Sequence, residues 1–80
     1  MYVTLKKKIV TSSEAIYDYW VDGDKKKHGI ASLNIINNSI NPIKLDNKEN
    51  DRYYFHKAIS RIRSMANQGE FLDDTCYAAG

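Results

Sequence analysis

The chain has 80 residues, too few for two independent hydrophobic cores, so it reads as one domain. With 42% hydrophobic and 28% charged residues it is neither collagen-like nor disordered in composition. Twelve basic and ten acidic residues leave a formal charge of +2, which does not demand a polyanionic partner.

The single cysteine, Cys76, excludes an intramolecular disulfide and fits a reducing compartment. No apolar run approaches the ~20 residues of a membrane-spanning helix. Met1 to Lys8 places charge after the apolar residues and lacks the apolar stretch of a signal peptide. The expectation is a cytoplasmic protein with no membrane association.

Tyr2 to Val10 reads as a strand. Val3, Leu5 and Ile9 share one face, and Tyr2, Thr4, Lys6 and Lys8 share the other. Lys7 interrupts the apolar face, which suits a sheet edge or a strand end. After a polar turn at Thr11 to Glu14, Ala15 to Val21 reads as a second strand. Tyr17, Tyr19 and Val21 alternate with Ile16, Asp18 and Trp20, so both faces are partly apolar and the strand belongs in the middle of a sheet.

Asp22-Gly23-Asp24 signals a tight turn, and Lys25-Lys26-Lys27-His28 reads as its charged loop tip. Gly29 to Asn37 is the predicted third strand, with Ala31, Leu33 and Ile35 on one face. Asn37-Asn38-Ser39 forms the next turn, because Asn tolerates left-handed backbone. Ile40 to Leu45 reads as a short fourth strand, placed at an edge because Pro42 has no N–H to donate.

A helix is predicted from about Asp51 to Gln68. Phe55, Ala58, Ile59, Ile62, Met65 and Ala66 fall on one stripe. Asn47 or Asn50 caps its start, and Gly69 supplies the left-handed residue at its end. From Glu70 to Gly80 the chain is a tail whose Phe71, Leu72, Tyr77 and Ala78 fold back on the body as a short strand. The predicted fold is α+β: an antiparallel meander of three to four strands, one long helix on one face, and the tail closing an edge.

Five segments carry a resemblance: Tyr17-Asp18-Tyr19-Trp20-Val21-Asp22-Gly23-Asp24, Gly29-Ile30, Phe55-His56-Lys57-Ala58-Ile59-Ser60-Arg61-Ile62, Gly69-Glu70-Phe71 and Tyr77-Ala78-Ala79-Gly80. Together they resemble small uncharacterised proteins of Gram-positive bacteria and their phages. The resemblance implies an α+β domain of mobile-element origin and brings no activity or site residues.

Catalytic and metal chemistry find little support. Cys76 as nucleophile needs an activating histidine, and no spacing brings His28 or His56 to it. Asp22-Gly23-Asp24 lacks the third oxygen ligand and the closing Glu of a calcium loop. Asp73 and Asp74 are adjacent and point apart in any extended tail. The expectation is a non-enzymatic protein with no cofactor.

Two binding readings remain. In the preferred one, the protein contacts a partner protein. Six Tyr and one Trp exceed what one helix can cover on one sheet face, so some lie on the far face or at the rim. Tyr17, Tyr19 and Trp20 are the candidate anchors, for a foreign partner or a homodimer. With the phage resemblance, this becomes an accessory or inhibitory factor acting on a host complex. The alternative is sequence-independent nucleic-acid binding by Lys6, Lys7, Lys8, Lys25, Lys26, Lys27, Arg52 and Arg63 beside the sheet aromatics. Against it, Asp18, Asp22 and Asp24 interleave with those aromatics, and the helix cations are split between two flanks.

Overall fold

The computed structural model describes residues 2–22, 24–44 and 51–78. Five strands and one helix follow in the order β1 (Tyr2–Val10), β2 (Glu14–Val21), β3 (Asp24–Asn34), β4 (Ile40–Lys44), α1 (Asp51–Gln68) and β5 (Asp74–Ala78). They form one antiparallel sheet in the order β4-β3-β2-β1-β5, with the helix packed on one face. The α+β meander is as the sequence predicts. The predicted helix caps Asn47 and Asn50, and the strand end Leu45, lie outside the described residues.

Burial follows the strand period. Along β2, Ala15, Tyr17, Tyr19 and Val21 are buried while the residues between them are half-buried. They meet Val3 and Leu5 of β1 and Ala31 and Leu33 of β3 on the same face, as the cross-strand register requires. The helix adds Phe55, Ala58, Ile59, Ile62 and Met65, all buried, to the same core. Its end is a Schellman turn: Gly69, at φ +75°, donates its N–H to Ala66 O, and Glu70 N–H donates to Met65 O.

Four features differ from the sequence reading, each for a local reason. The register slips between Lys7 and Ile9, leaving Lys8 as an extra residue in β1. The bulge turns Ile9 outward, where it is 53% exposed, and packs Val10 against the core instead. β1 is not an edge, because β5 pairs along it; the inward Lys7 is met by the chain entering β5. Lys25 to His28 belong to β3 and are not a loop tip: Val21 pairs with Asp24, and Trp20 next pairs with His28 across an irregularity.

β3 stops at Asn34 rather than Asn37. The Asn34 side-chain oxygen accepts the N–H groups of Ile36 and Asn37 at 2.9 and 3.1 Å, drawing the chain into a turn. Asn38 follows at φ +61°. At the opposite end Asp22, at φ +50°, turns the β2–β3 hairpin and binds Tyr2 through both its N–H and its carboxylate, each at 2.8 Å.

Gly29 is required by its neighbour. A Cβ built there falls on the ring end of Tyr19, its cross-strand partner. The bare backbone lets the Tyr19 ring lie flat against β3 beneath the helix. Gly29→Ala therefore displaces a core aromatic, and chemical denaturation should show a loss of about 1–3 kcal/mol. Unchanged stability would mean that Tyr19 does not occupy this space.

Candidate functional site: the open face of the sheet

The helix covers one face of the sheet. On the other, outward residues line up in rows set by the register. One row runs Cys76, Thr4, Trp20, His28; the next runs Asp74, Lys6, Asp18, Ile30; a third runs Ile9, Ile16, Ser32, Asn41. Tyr2 and Ile9, near opposite ends of β1, are 43% and 53% exposed, while Ile16, Trp20 and Ile30 are half-buried.

A braced aromatic lies on β2, the central strand, close to its end. The Trp20 and His28 rings stack at 4.9 Å between centroids and 21° between planes. Asp18 Oδ1 accepts a hydrogen bond from His28 Nε2 at 2.7 Å. Asp18 and Trp20 are two residues apart on β2, so they project from the same face, and His28 lies directly across from Trp20. The carboxylate holds the imidazole and the imidazole holds the indole. Trp20 is thereby fixed before any partner arrives, which lowers the ordering cost of using it in a contact.

The other two predicted anchors are not on this surface. Tyr17 and Tyr19 are 0% and 2% exposed, because period two puts them under the helix. They offer nothing to a partner, and of the proposed trio only Trp20 faces outward. Tyr17 instead has a structural task. Its hydroxyl donates to Leu72 O at 2.6 Å and lies 3.7 Å from Met65 Sδ, tying the segment after the helix to the core. Burial, and secondarily the nearby Asp73 charge, raises its pKa above the ordinary tyrosine value against an opposing effect of Arg61.

Among the described residues, the predicted basic side chains lie in separate places. Lys6 projects outward opposite Asp18, and Lys8 is exposed at the bulge. Lys7 points inward, with Nζ 2.7 Å from Asp73 Oδ1 and 3.4 Å from Phe71 O. Lys26 is exposed; the side chains of Lys25, Lys27 and Arg52 lie outside the described set. Arg63 is on the helix layer, bonded through Nε and one terminal nitrogen to Asn38 at 3.2 and 3.4 Å. On the other helix flank Arg61 bonds Thr75 Oγ1 at 2.8 Å, and Lys57 lies over the Tyr53 and Tyr77 rings at 5.1 and 5.6 Å.

Among the described residues, the catalytic pairs weighed in the sequence are not brought together. Cys76 and His28 share a row but have Thr4 and Trp20 between them, and His56 is exposed on the helix. Asp73 pairs with Lys7 while Asp74 faces outward opposite Lys6. Among the described residues no group of three or more His, Cys, Asp or Glu is placed to hold a metal ion, and no helix is long and apolar enough to cross a membrane. A cleft of about 310 Å³ opens between the helix end and the β3–β4 turn, with Leu33 and Ile35 against Arg63 and Asn38.

His28 and Asp18 are the site residues that the sequence reading missed. Asp18 carried a signal, since it alternates with Trp20. His28 carried none, because its pairing depends on three extra residues in β3. No family model, curated protein or solved structure gives a significant match to this chain.

One ionisation has a measurable consequence. The hydrogen bond from Lys7, and then its charge, lower the Asp73 pKa below the ordinary carboxylate value. The stabilisation is therefore complete above the unfolded pKa and disappears as pH falls through the lower folded one. Asp73→Asn should reduce stability slightly at neutral pH, with the gap from wild type closing in acid. Denaturation midpoints across pH 2–7 test this; a gap constant with pH would contradict the ion pair.

Proposed function

We propose that the protein is a non-enzymatic binding module that docks on a larger protein through the open face of its sheet. The observation that carries this reading is the Asp18–His28–Trp20 assembly, a pre-ordered aromatic on the central strand of a face that also carries Ile16, Ile30, Ile9 and Tyr2. Such a mixture of indole, aliphatic and phenol area with interspersed charges of both signs is compatible with a protein interface. The charges nearby are of both signs: Lys6 lies between Asp18 and Asp74 in one row. A polyphosphate is served poorly by that alternation, whereas a protein surface of mixed charge is served well.

The resemblance to proteins of Gram-positive bacteria and their phages supports a more specific version. In it the protein is an accessory or inhibitory factor that occupies one surface of a host complex in the cytoplasm. The second reading is nucleic-acid binding, favoured by exposed Lys6 and Lys8 on the strand next to that of Trp20. There the indole already stacked on His28 leaves less of its surface for a base.

Affinity capture from a Gram-positive lysate, run beside oligonucleotide anisotropy over a salt series, separates the two. Docking predicts a specific captured protein that Trp20→Ala loses, while thermal unfolding of the variant stays close to wild type. It also predicts retention at moderate salt. Oligonucleotide binding with a slope of about −0.9 per phosphate neutralised, lost on Lys6→Ala and Lys8→Ala, would replace docking with the second reading. A turnover activity that survives purification to homogeneity would overturn both.

A further inference from the structure

The sheet has two edges, and they are not alike. β4 carries Pro42, which has no N–H, and Lys44. Both residue types discourage further strand pairing. β5, with the sequence Asp74-Thr75-Cys76-Tyr77-Ala78, carries neither lysine nor proline. Thr and Tyr favour extended backbone, so this edge is suited to accept another strand.

The hydrogen-bond phase of β5 is fixed by its first contact. Lys7 N–H donates to Asp73 O at 2.8 Å, so the pair 7–73 is a bonded one. Alternation along an antiparallel ladder then directs the N–H and C=O of Thr75 and Tyr77 toward β1. Those of Asp74, Cys76 and Ala78 point away from β1, toward the free edge. The opposite side of β1 agrees, since Asp22 N–H donates to Tyr2 O and places the even residues of β1 against β2.

We propose that this edge pairs with the same edge of a second copy, giving a two-fold dimer in which two sheets become continuous. Full overlap of two antiparallel β5 strands sets Cys76 opposite Cys76 on the two-fold axis and Asp74 opposite Ala78. These are the residues whose backbone groups point outward, so both phases agree. No like charges oppose one another in this register. The register centred on Asp74 opposes two carboxylates and loses most of the overlap. On the helix side, Tyr77 faces Thr75 of the second copy. Lys57, which lies over Tyr77, is thereby brought toward the carboxylate end formed by Asp73 of that copy. A five-residue edge buries far less than the ~1,200 Å² of stable complexes, so the dimer is weak and forms at high concentration. It uses the sheet edge and not the open face, so it stands or falls apart from the docking function.

Cys76 is exposed and reports the register directly. Bonded antiparallel partners have Cα atoms about 5.5 Å apart, within the ~4.4–6.8 Å that a disulfide spans. Diamide, which takes up the two protons and two electrons as the S–S bond forms, should cross-link folded protein at millimolar concentration much faster than chain unfolded in guanidinium. Sedimentation under reducing conditions should show a concentration-dependent dimer that Cys76→Ser keeps. Cys76→Lys should lose it, by placing two ammonium groups on the axis. Amide exchange supplies a readout needing no variant. The N–H groups of Asp74, Cys76 and Ala78 should slow at least tenfold between dilute and millimolar protein, while those of Thr75 and Tyr77 stay protected throughout. A monomer at millimolar concentration, or exchange at 74, 76 and 78 independent of concentration, would overturn the proposal.

Discussion

The arrangement depends on one packing event: the stripe Phe55, Ala58, Ile59, Ile62 and Met65 pressed on the inward residues of β1, β2 and β3. A helix of 18 residues is about 27 Å long and 10 Å wide, which is enough to cover one face of a small sheet and no more. The apolar inward positions of β1, β2 and β3 are therefore committed to the core, down to the Tyr19 ring laid over Gly29. Every outward position is left beyond the helix's reach. The open face is a geometric consequence of covering a five-stranded sheet with a single helix.

A second set of contacts decides where the chain goes after the helix. The Schellman turn at Gly69 ends the helix, and Phe71 packs against the core. Tyr17 then holds Leu72 by its carbonyl, and Lys7 holds Phe71 and Asp73. Two residues that interrupt the apolar pattern, a phenol and an amine, thus find their polar partners in this connector. Their combined effect is to deliver residues 74–78 beside β1 in one register. That register determines which backbone groups of β5 face outward, so a buried tyrosine hydroxyl is linked to the character of a sheet edge several residues away.

Much of this architecture is legible in the sequence. The helix could be read because its stripe keeps a constant period and ends at a glycine. β2 could be read as central because apolar residues occupy both of its faces. Irregularities were not legible. The extra residue Lys8 inverts the faces of Ile9 and Val10, and nothing in Lys6-Lys7-Lys8-Ile9 marks which residue is extra. The three residues between Asp24 and His28 hide the pairing that brings His28 to Trp20. Composition alone also misassigned the aromatics. Tyr17 and Tyr19 look like interface residues by type, yet alternation with Trp20 places them inside. Trp20 is the outward-facing, half-buried member of the set because it falls on the opposite phase.

The helix lies on the Tyr17 and Tyr19 side of the sheet and leaves the Trp20 side open. Nuclear Overhauser contacts from the methyl group of Met65 and the methyls of Ile59 and Ile62 address it directly. Contacts are expected from Met65 to the Tyr17 ring and none from any of these methyls to Trp20, Ile16 or Ile30. Contacts between the helix methyls and Trp20, with Tyr17 and Tyr19 free of them, would mean that the sheet presents the other face and would contradict the account.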